Sequence, residues 1–270
     1  MGAKLLIDGD VIAYRAGFAS EKTKYLATSA TDGGVVWGTA DSAKDIAHVG
    51  GCVWTRKELQ PVDQALLITN VMINDIKERY AAENLTPVVC LTGTGNFRHS
   101  VATRATYKGN RSGSVPPVHL KAIRQHLTDK GAVVSAGEEA DDVLGILATE
   151  NPGSIIASID KDLMMIPGRN YNFVTKEETT ISPKQAMLNF YAQVLSGDSV
   201  DNIPGVAGIG PVKAARLVAD CATPKICWQR IVDVYKKEFG DAGEKFALEA
   251  ARLVWIRRQP GEMWCPPTAR

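Results

Sequence analysis

Short apolar runs that close on an aspartate, separated by stretches of helical periodicity, restrict this chain more than any other feature. "KLLID" (4–8) ends in Asp8 and "SIIASID" (154–160) ends in Asp160. "PVVCLT" (87–92), "GAVVS" (131–135) and "YNFVT" (171–175) are further apolar runs. Residues 62–82 set Leu66, Ile73, Ile76 and Tyr80 near one side of a helix, and 117–130 and 139–150 also read as helices. Strands alternating with helices predict an α/β fold, a largely parallel central sheet flanked by helices. Ligands collect at the carboxyl ends of the strands in such a sheet. Residues 21–60, rich in Gly and Thr with no firm period, are expected to form an irregular excursion or a hairpin, and from about 183 the chain reads as mainly helical.

The acids fall on that strand edge. "GEEADD" (137–142) opens a predicted helix with Glu138, Glu139, Asp141 and Asp142. "LIDGD" supplies Asp8 and Asp10, "SIDKD" Asp160 and Asp162, and "LSGDSVDN" Asp198 and Asp201. Acids in a first turn also favour the helix dipole, by roughly 0.3–1 kcal/mol each, and an isolated Asp is an ordinary turn former. Four clusters at element ends are harder to explain that way. Gathered on one edge they repel one another unless cations neutralise them. Oxygen ligands without His or Cys suit Mg²⁺ or Mn²⁺. Two such ions about 3.5–4 Å apart are the usual machinery for displacement at a phosphodiester.

The net charge of +1 hides a segregation of charge: from Arg98 to Lys130 there are seven Lys and Arg against one acid, and from Glu138 to Asp162 seven acids against one Lys. That suits a protein holding a polyanion beside a cation site, although two separately solvated faces give the same pattern. In "TYKGNR" (106–111), the residue types suit Lys108 to offset phosphate charge, Arg111 to grip phosphate in a fork and Tyr107 to stack on a base. Alone, that stretch reads more simply as an exposed basic turn. "NIPGVAGIGPVKAARLV" (202–218) leads through Gly205, Gly208 and Gly210 into a helix with Pro211 early and Lys213 nearby. Its free backbone N–H groups suit phosphate, and a helix-hairpin-helix of this kind grips a duplex backbone without reading sequence. Five Cys (52, 90, 221, 227 and 265), with no CxxC pair, read as reduced thiols in a cytosol. No apolar run is long enough to cross a bilayer, and Lys4, Asp8 and Asp10 exclude a signal peptide, so a cytoplasmic location is expected.

Taken in order, "LIDGD", "YKGNR", "EADD", "SIDKD" and "GDSVDNIPGVAGIG" resemble the 5′→3′ exonuclease and flap endonuclease family, including the phage 5′-nucleases and the 5′-nuclease domain of bacterial DNA polymerase I. The likeness covers roughly 4–220. It implies a PIN-like nuclease core over 1–182 with a helical lid at 98–118, followed by a helical DNA-binding region over 183–270 with the helix-hairpin-helix. By motif, Asp8, Glu139, Asp141, Asp160, Asp162, Asp198 and Asp201 become the metal site, with Asp142 completing it and Asp10 behind it. Lys108 and Arg111 become the basic pair of the lid. The implied reaction is Mg²⁺-dependent hydrolysis with two or more ions, leaving a 5′-phosphate and a 3′-hydroxyl, with Mn²⁺ able to substitute. K⁺ is implied at the hairpin. The implied partner is DNA with 5′ ends, flaps or nicks, RNA–DNA included, and the implied state is a monomer.

One departure stands out. Where the family places an Asp after the strand, this chain reads "LTGTGNFR" (91–98), with Gly93 or Thr94 at that point. The expectation is a missing outer metal contact that Gly93→Asp restores. The departure also keeps open a protein of this fold that binds branched DNA or RNA and cuts poorly. A PIN-type ribonuclease shares the acidic site, but the 202–218 hairpin argues against it.

Overall fold

The computed structural model describes residues 2–28, 35–39, 53–111 and 113–267, with backbone alone for the strands within 22–57. The chain forms two compact units that are not consecutive in sequence. Met1–Asp10, Ile76–Ser114 and Gly131–Arg270 make one, and Val11–Asp75 with Val115–Lys130 make the other. The helices beyond residue 182 thus share a unit with the sheet.

That sheet has six strands: β1 (Lys4–Asp8), β5 (Thr86–Thr94), β6 (Val133–Ala136), β7 (Ile155–Ala157), β8 (Gly168–Asn172) and β9 (Glu177–Ile181). Their order is β6-β5-β1-β7-β8-β9, parallel throughout except that β9 returns antiparallel to β8. The central strands are apolar without alternation because both their faces are covered. Leu5, Leu6, Ile7, Cys90, Leu91, Ile155, Ile156 and Ala157 are all buried. The β8–β9 hairpin is a difference from the expected single strand at 171–175. Its turn residues Asn172 and Lys176 are polar, and the Asn172 side chain caps Val174 and Thr175 at 3.0 Å.

Helix α5 (Ala140–Glu150) packs on β1 and β5. Beyond the sheet come α6 (Pro183–Ser196), α7 (Pro211–Val218), α8 (Pro224–Phe239) and α9 (Gly243–Val254). Three of them start alike, with Pro at the first position, where a missing N–H costs nothing. Ser182 and Thr223 cap α6 and α8 by accepting from Gln185 N (3.1 Å) and Ile226 N (3.3 Å). The four helices enclose Phe190, Val194, Ile231, Ala247 and Tyr235, whose hydroxyl donates to Val194 O at 2.7 Å.

The second unit holds a three-stranded antiparallel sheet, β2 (Glu21–Thr28), β3 (Val35–Thr39) and β4 (Val53–Leu59), in the order β3-β2-β4. The 21–60 excursion is thus a hairpin extended by a third strand; its segments 29–34 and 40–52, Cys52 included, lie outside the described residues. Helices α1 (Gly9–Ala19), α2 (Val62–Arg79) and α4 (Leu120–Asp129) complete the chain, and α3 (Arg98–Val101) is a single turn. Among the described residues, no helix is long and apolar enough to cross a membrane, and Cys90, Cys221, Cys227 and Cys265 are unpaired.

Candidate active site

Parallel pairing sets Asp8, at the end of β1, level with Ser158 just beyond β7, and Ser158 Oγ donates to Asp8 Oδ2 at 2.6 Å. The chain turns there, with Asp160 N donating to Ser158 Oγ (3.0 Å) and Asp162 N to Asp160 Oδ1 (2.8 Å). From the neighbouring strand edge, α5 begins at Glu139 and Asp141. Its first N–H, that of Ala140, donates to Thr92 Oγ1 on β5 at 2.9 Å. Asp10 accepts from Thr92 N at 2.9 Å and so fixes the end of β5. Asp198, at the start of the connection between α6 and α7, is joined to Asp162 by Gln193, whose Nε2 donates to Asp162 Oδ1 (3.0 Å) and Asp198 Oδ2 (3.1 Å).

The charges report how closely these groups stand. Burial, then the charges of Asp8, Asp160, Glu139 and Asp142, push the Asp141 carboxyl well above the ordinary range. Burial, then Asp160 and Asp198, push Asp162 up to about 7. Cys90, beneath the site, rises to about 12 through burial and the charges of Asp8, Asp10 and Asp141. An unbroken line of repelling carboxylates therefore runs from Asp8 through Asp141, Asp160 and Asp162 to Asp198.

The basic residues pair with two further acids, Glu139 and Asp201. Lys108 Nζ pairs with Glu139 and stands 3.6 Å from Asp201 Oδ2, and Arg111 donates to Asp201 Oδ1 at 2.5 Å. Lys108 adopts a left-handed backbone (φ 55°), and its N–H donates to Asp201 O at 2.8 Å. The foot of this segment is anchored. Thr103 N and Arg104 N donate to Glu249 Oε1 on α9 at 2.7 and 2.8 Å. The Arg104 guanidinium lies 4.7 and 4.9 Å from the rings of Phe239 and Phe246 and donates to Pro204 O (2.8 Å) and Gly205 O (3.3 Å). One side chain thus ties the basic segment to the α6–α7 connection.

As placed, no three acids among the described residues converge into a ready-made cation cage, because Lys108, Arg111, Ser158 and Gln193 hold several of them. The donor set nevertheless fits a hard divalent cation, because it is all carboxylate oxygen with neither His nor Cys among the acids.

No family model matches the chain. Curated relatives do. It is 35% identical over 165 residues to the 5'-3' exonuclease of Bacillus subtilis and 37% over 164 residues to the flap endonuclease Xni of Shewanella denitrificans. It is 31% identical over 144 residues to the thermostable DNA polymerase I of Thermus filiformis. These stretches cover 51%, 55% and 46% of this chain but 53%, 62% and 17% of the relatives, so the chain spans less than two thirds of each. Among solved structures, the T5 D15 protein co-crystallised with metal ions superposes with a TM-score of 0.60 at 15% identity, over 93% of this chain and 89% of that one. The T5 5'-exonuclease with bound zinc gives 0.58.

The chain has the fold of the T5 5'-exonuclease and is similar in sequence to 5'-3' exonucleases and flap endonucleases.

The sequence motifs hold Asp8, Glu139, Asp141, Asp160, Asp162, Asp198 and Asp201 in one region, with Lys108 and Arg111 beside them, and three expectations need correction. Tyr107 cannot stack on a base. It is 3% exposed, and its hydroxyl donates to Asp201 Oδ2 (2.7 Å) and Glu139 Oε2 (3.1 Å), so it belongs to the scaffold of the acids. Asp142 does not complete the acidic site. It is fully buried, and both its oxygens are taken by Arg98, at 2.6 and 2.9 Å, with backbone N–H groups of Glu139 and Arg257 filling the remainder. Gly93 is not a gap waiting for a carboxylate. A Cβ there would lie 1.9 Å from Ser135 O on β6, and the β5 side chain that reaches the first turn of α5 is Thr92. Gly93→Ala is therefore expected to destabilise the fold by about 1–3 kcal/mol or more, as overpacking does, without changing the metal requirement of the folded fraction. Urea unfolding checks the first, a metal titration the second.

Gly205, Gly208 and Gly210 differ in role. Gly205 is forced by packing, since a Cβ would meet Ser196 C at 2.3 Å, whereas Gly208 and Gly210 are exposed with open space around them. Between α6 and α7 the chain forms a two-residue ladder, Gly197–Asp198 against Ile203–Pro204. Lys213 is exposed, with its ammonium donating to Gly208 O at 3.2 Å. Sequence reasoning missed Arg98, Arg104, Gln193, Glu249 and Arg257; each bonds to residues far away in the chain, which no local pattern signals.

Proposed function

We propose that this chain is a structure-specific 5′ nuclease, a 5′→3′ exonuclease or flap endonuclease that hydrolyses DNA phosphodiesters to 5′-phosphate and 3′-hydroxyl products and acts as a monomer. The observation that carries the reading is the gathering of Asp8, Asp160 and Asp162 at the carboxyl ends of β1 and β7, with Glu139 and Asp201 nearby held by Lys108 and Arg111. Asp8, Glu139, Asp141, Asp160, Asp162 and Asp198 would hold two or more Mg²⁺ ions, Mn²⁺ serving in their place. When bound, such ions cancel the repulsion, lower the pKa of water and stabilise charge on a phosphodiester.

The remaining work falls to the protein. Lys108 and Arg111 exchange their carboxylate partners for the oxygens of a substrate phosphate, Arg111 as a fork and Lys108 as a point charge. Tyr107 and Arg104 keep that segment in register with the acids. Lys108→Ala should lower the single-turnover rate by roughly 10–100-fold, below the usual loss for a donor aimed solely at developing charge. Duplex affinity should change by less than twofold or so. A fall in affinity at unchanged rate would reduce Lys108 to a backbone contact.

The α6–α7 connection, with Gly208, Gly210 and Lys213 exposed, is the proposed grip on duplex DNA, and K⁺ is its proposed ion. Lys213→Ala should weaken binding alike for every DNA sequence and flatten the salt slope by about one unit or less. Binding titrations at several salt concentrations read this directly, and an unchanged slope would place the grip elsewhere.

The test of the reading is a matched pair of substrates, a 5′-flap DNA duplex and a single-stranded RNA of the same flap sequence, each offered with Mg²⁺. Cutting of the DNA flap near its junction supports it. Cutting of the RNA alone would instead indicate a ribonuclease built on this fold.

A further inference from the structure

The segment after α9 lies outside every motif that marks the family, yet it is built into the base of the acidic site. At Ile256 and Arg257 the chain passes close against α5, and Gly145 lets it pass. A Cβ at that position would lie 2.4 Å from Arg257 O and 2.9 Å from Ile256 Cγ2. Arg257 N donates to Asp142 Oδ1 at 3.1 Å, and the Arg257 side chain donates to Glu138 Oε2 (2.7 Å) and Glu262 O (2.9 Å) while covering the Phe97 ring at 3.9 Å. Arg98 joins the same assembly. Besides its double bond to Asp142, it donates to Leu253 O (2.9 Å) and Trp255 O (2.8 Å). Asp142 Oδ2 in turn accepts from Glu139 N at 3.1 Å. The first turn of α5, which carries Glu139 and Asp141, is therefore held from behind: Arg98 and Arg257 N bind Asp142, the Arg257 side chain binds Glu138, and Asp142 in turn accepts from Glu139 N.

We propose that Leu253–Glu262, acting through Arg98–Asp142 and Arg257, is a positioning element that sets Glu139 and Asp141 for a divalent cation. The inference rests on the metal-site reading above. Helix ends are the parts of a helix most free to fray. A ligand pair on a frayed turn meets the cation only part of the time, and outer partners of metal ligands typically contribute 10–100-fold in affinity.

The experiment is direct Mn²⁺ binding to the full chain, by calorimetric titration and by the loss of the free-ion EPR signal, for the parent, Asp142→Asn and Arg257→Met. Arg257→Met keeps an apolar contact on Phe97 and removes only the charged bonds, so it decides the matter alone should Asp142→Asn not fold. The expected result is Mn²⁺ binding weakened roughly 10–100-fold, with parental circular dichroism and duplex affinity, and half-maximal cleavage moved to higher Mn²⁺ by a similar factor. Folded variants that bind Mn²⁺ as the parent does would overturn the positioning role and leave the metal site standing. A parent that binds no Mn²⁺ would overturn both.

Discussion

Asp141→Asn is expected to reduce flap cleavage by more than about 100-fold, since even the outer partners of a metal ligand are worth 10–100-fold, while making the metal-free protein more stable at neutral and alkaline pH. The two effects share one cause. Asp141 is held above its ordinary pKa by burial and by the charges of Asp8, Asp160, Glu139 and Asp142, so its charged form strains the fold that a cation would relieve. The sign follows from linkage. A carboxyl whose folded pKa is raised contributes stability that is complete below its unfolded pKa, near 3.9 for Asp, and is lost as pH rises through the folded value. Asp162 places part of that loss near pH 7. Metal-free parent protein should thus melt at a lower temperature at pH 8.5 than at pH 5.5. Asp141→Asn should flatten that difference, and Mg²⁺ should raise the parent's melting temperature more than the variant's. Thermal melts in EDTA and in Mg²⁺ at both pH values measure it. Parallel curves for parent and variant would mean that Asp141 carries no such strain.

Arg98→Met is expected to cost about 3–5 kcal/mol of stability, the usual loss when one member of a buried ion pair is removed. That is a large share of the 5–15 kcal/mol or so available to a typical protein. Arg98 is 3% exposed and Asp142 fully buried, and the guanidinium supplies two of the four hydrogen bonds to that carboxylate. Without it, Asp142 keeps only backbone N–H partners in an enclosed site. Removing the carboxylate as well, in Arg98→Met/Asp142→Leu, should recover part of the loss, because the penalty comes from the stranded charge. Urea unfolding of the two single variants and the double variant gives the coupling. Additive losses would show that the pair is solvated after all.

The parts of this fold legible in the sequence are those set by local physics. The strands ending at Asp8 and near Asp160 read correctly because a parallel strand buried on both faces is apolar throughout, and α5 read correctly because its acids mark a helix start. The parallel pairing then placed the acids on one edge, as spacing alone suggested. What failed was assignment within a cluster. Asp141 and Asp142 are adjacent and alike, yet one faces the carboxylates and the other faces Arg98, 44 positions away in sequence. Tyr107 sits in a basic stretch that reads as exposed, but its hydroxyl is drawn inward by Glu139 and Asp201. Gly93 looked like a deletion of charge, whereas the strand pairing with β6 leaves it no room for any side chain. The Leu253–Glu262 segment carried no signal because it works mostly through backbone groups.

The central claim is that these carboxylates serve cation-dependent hydrolysis at a 5′ flap. It is tested most directly by offering the parent protein a flap duplex labelled at its 5′ end or its 3′ end, with Mg²⁺ and again with EDTA. The account predicts cleavage near the junction in Mg²⁺, products bearing a 5′-phosphate and a 3′-hydroxyl, and no cleavage in EDTA. Equal cleavage in EDTA, or products trimmed only from the 3′ end, would contradict it.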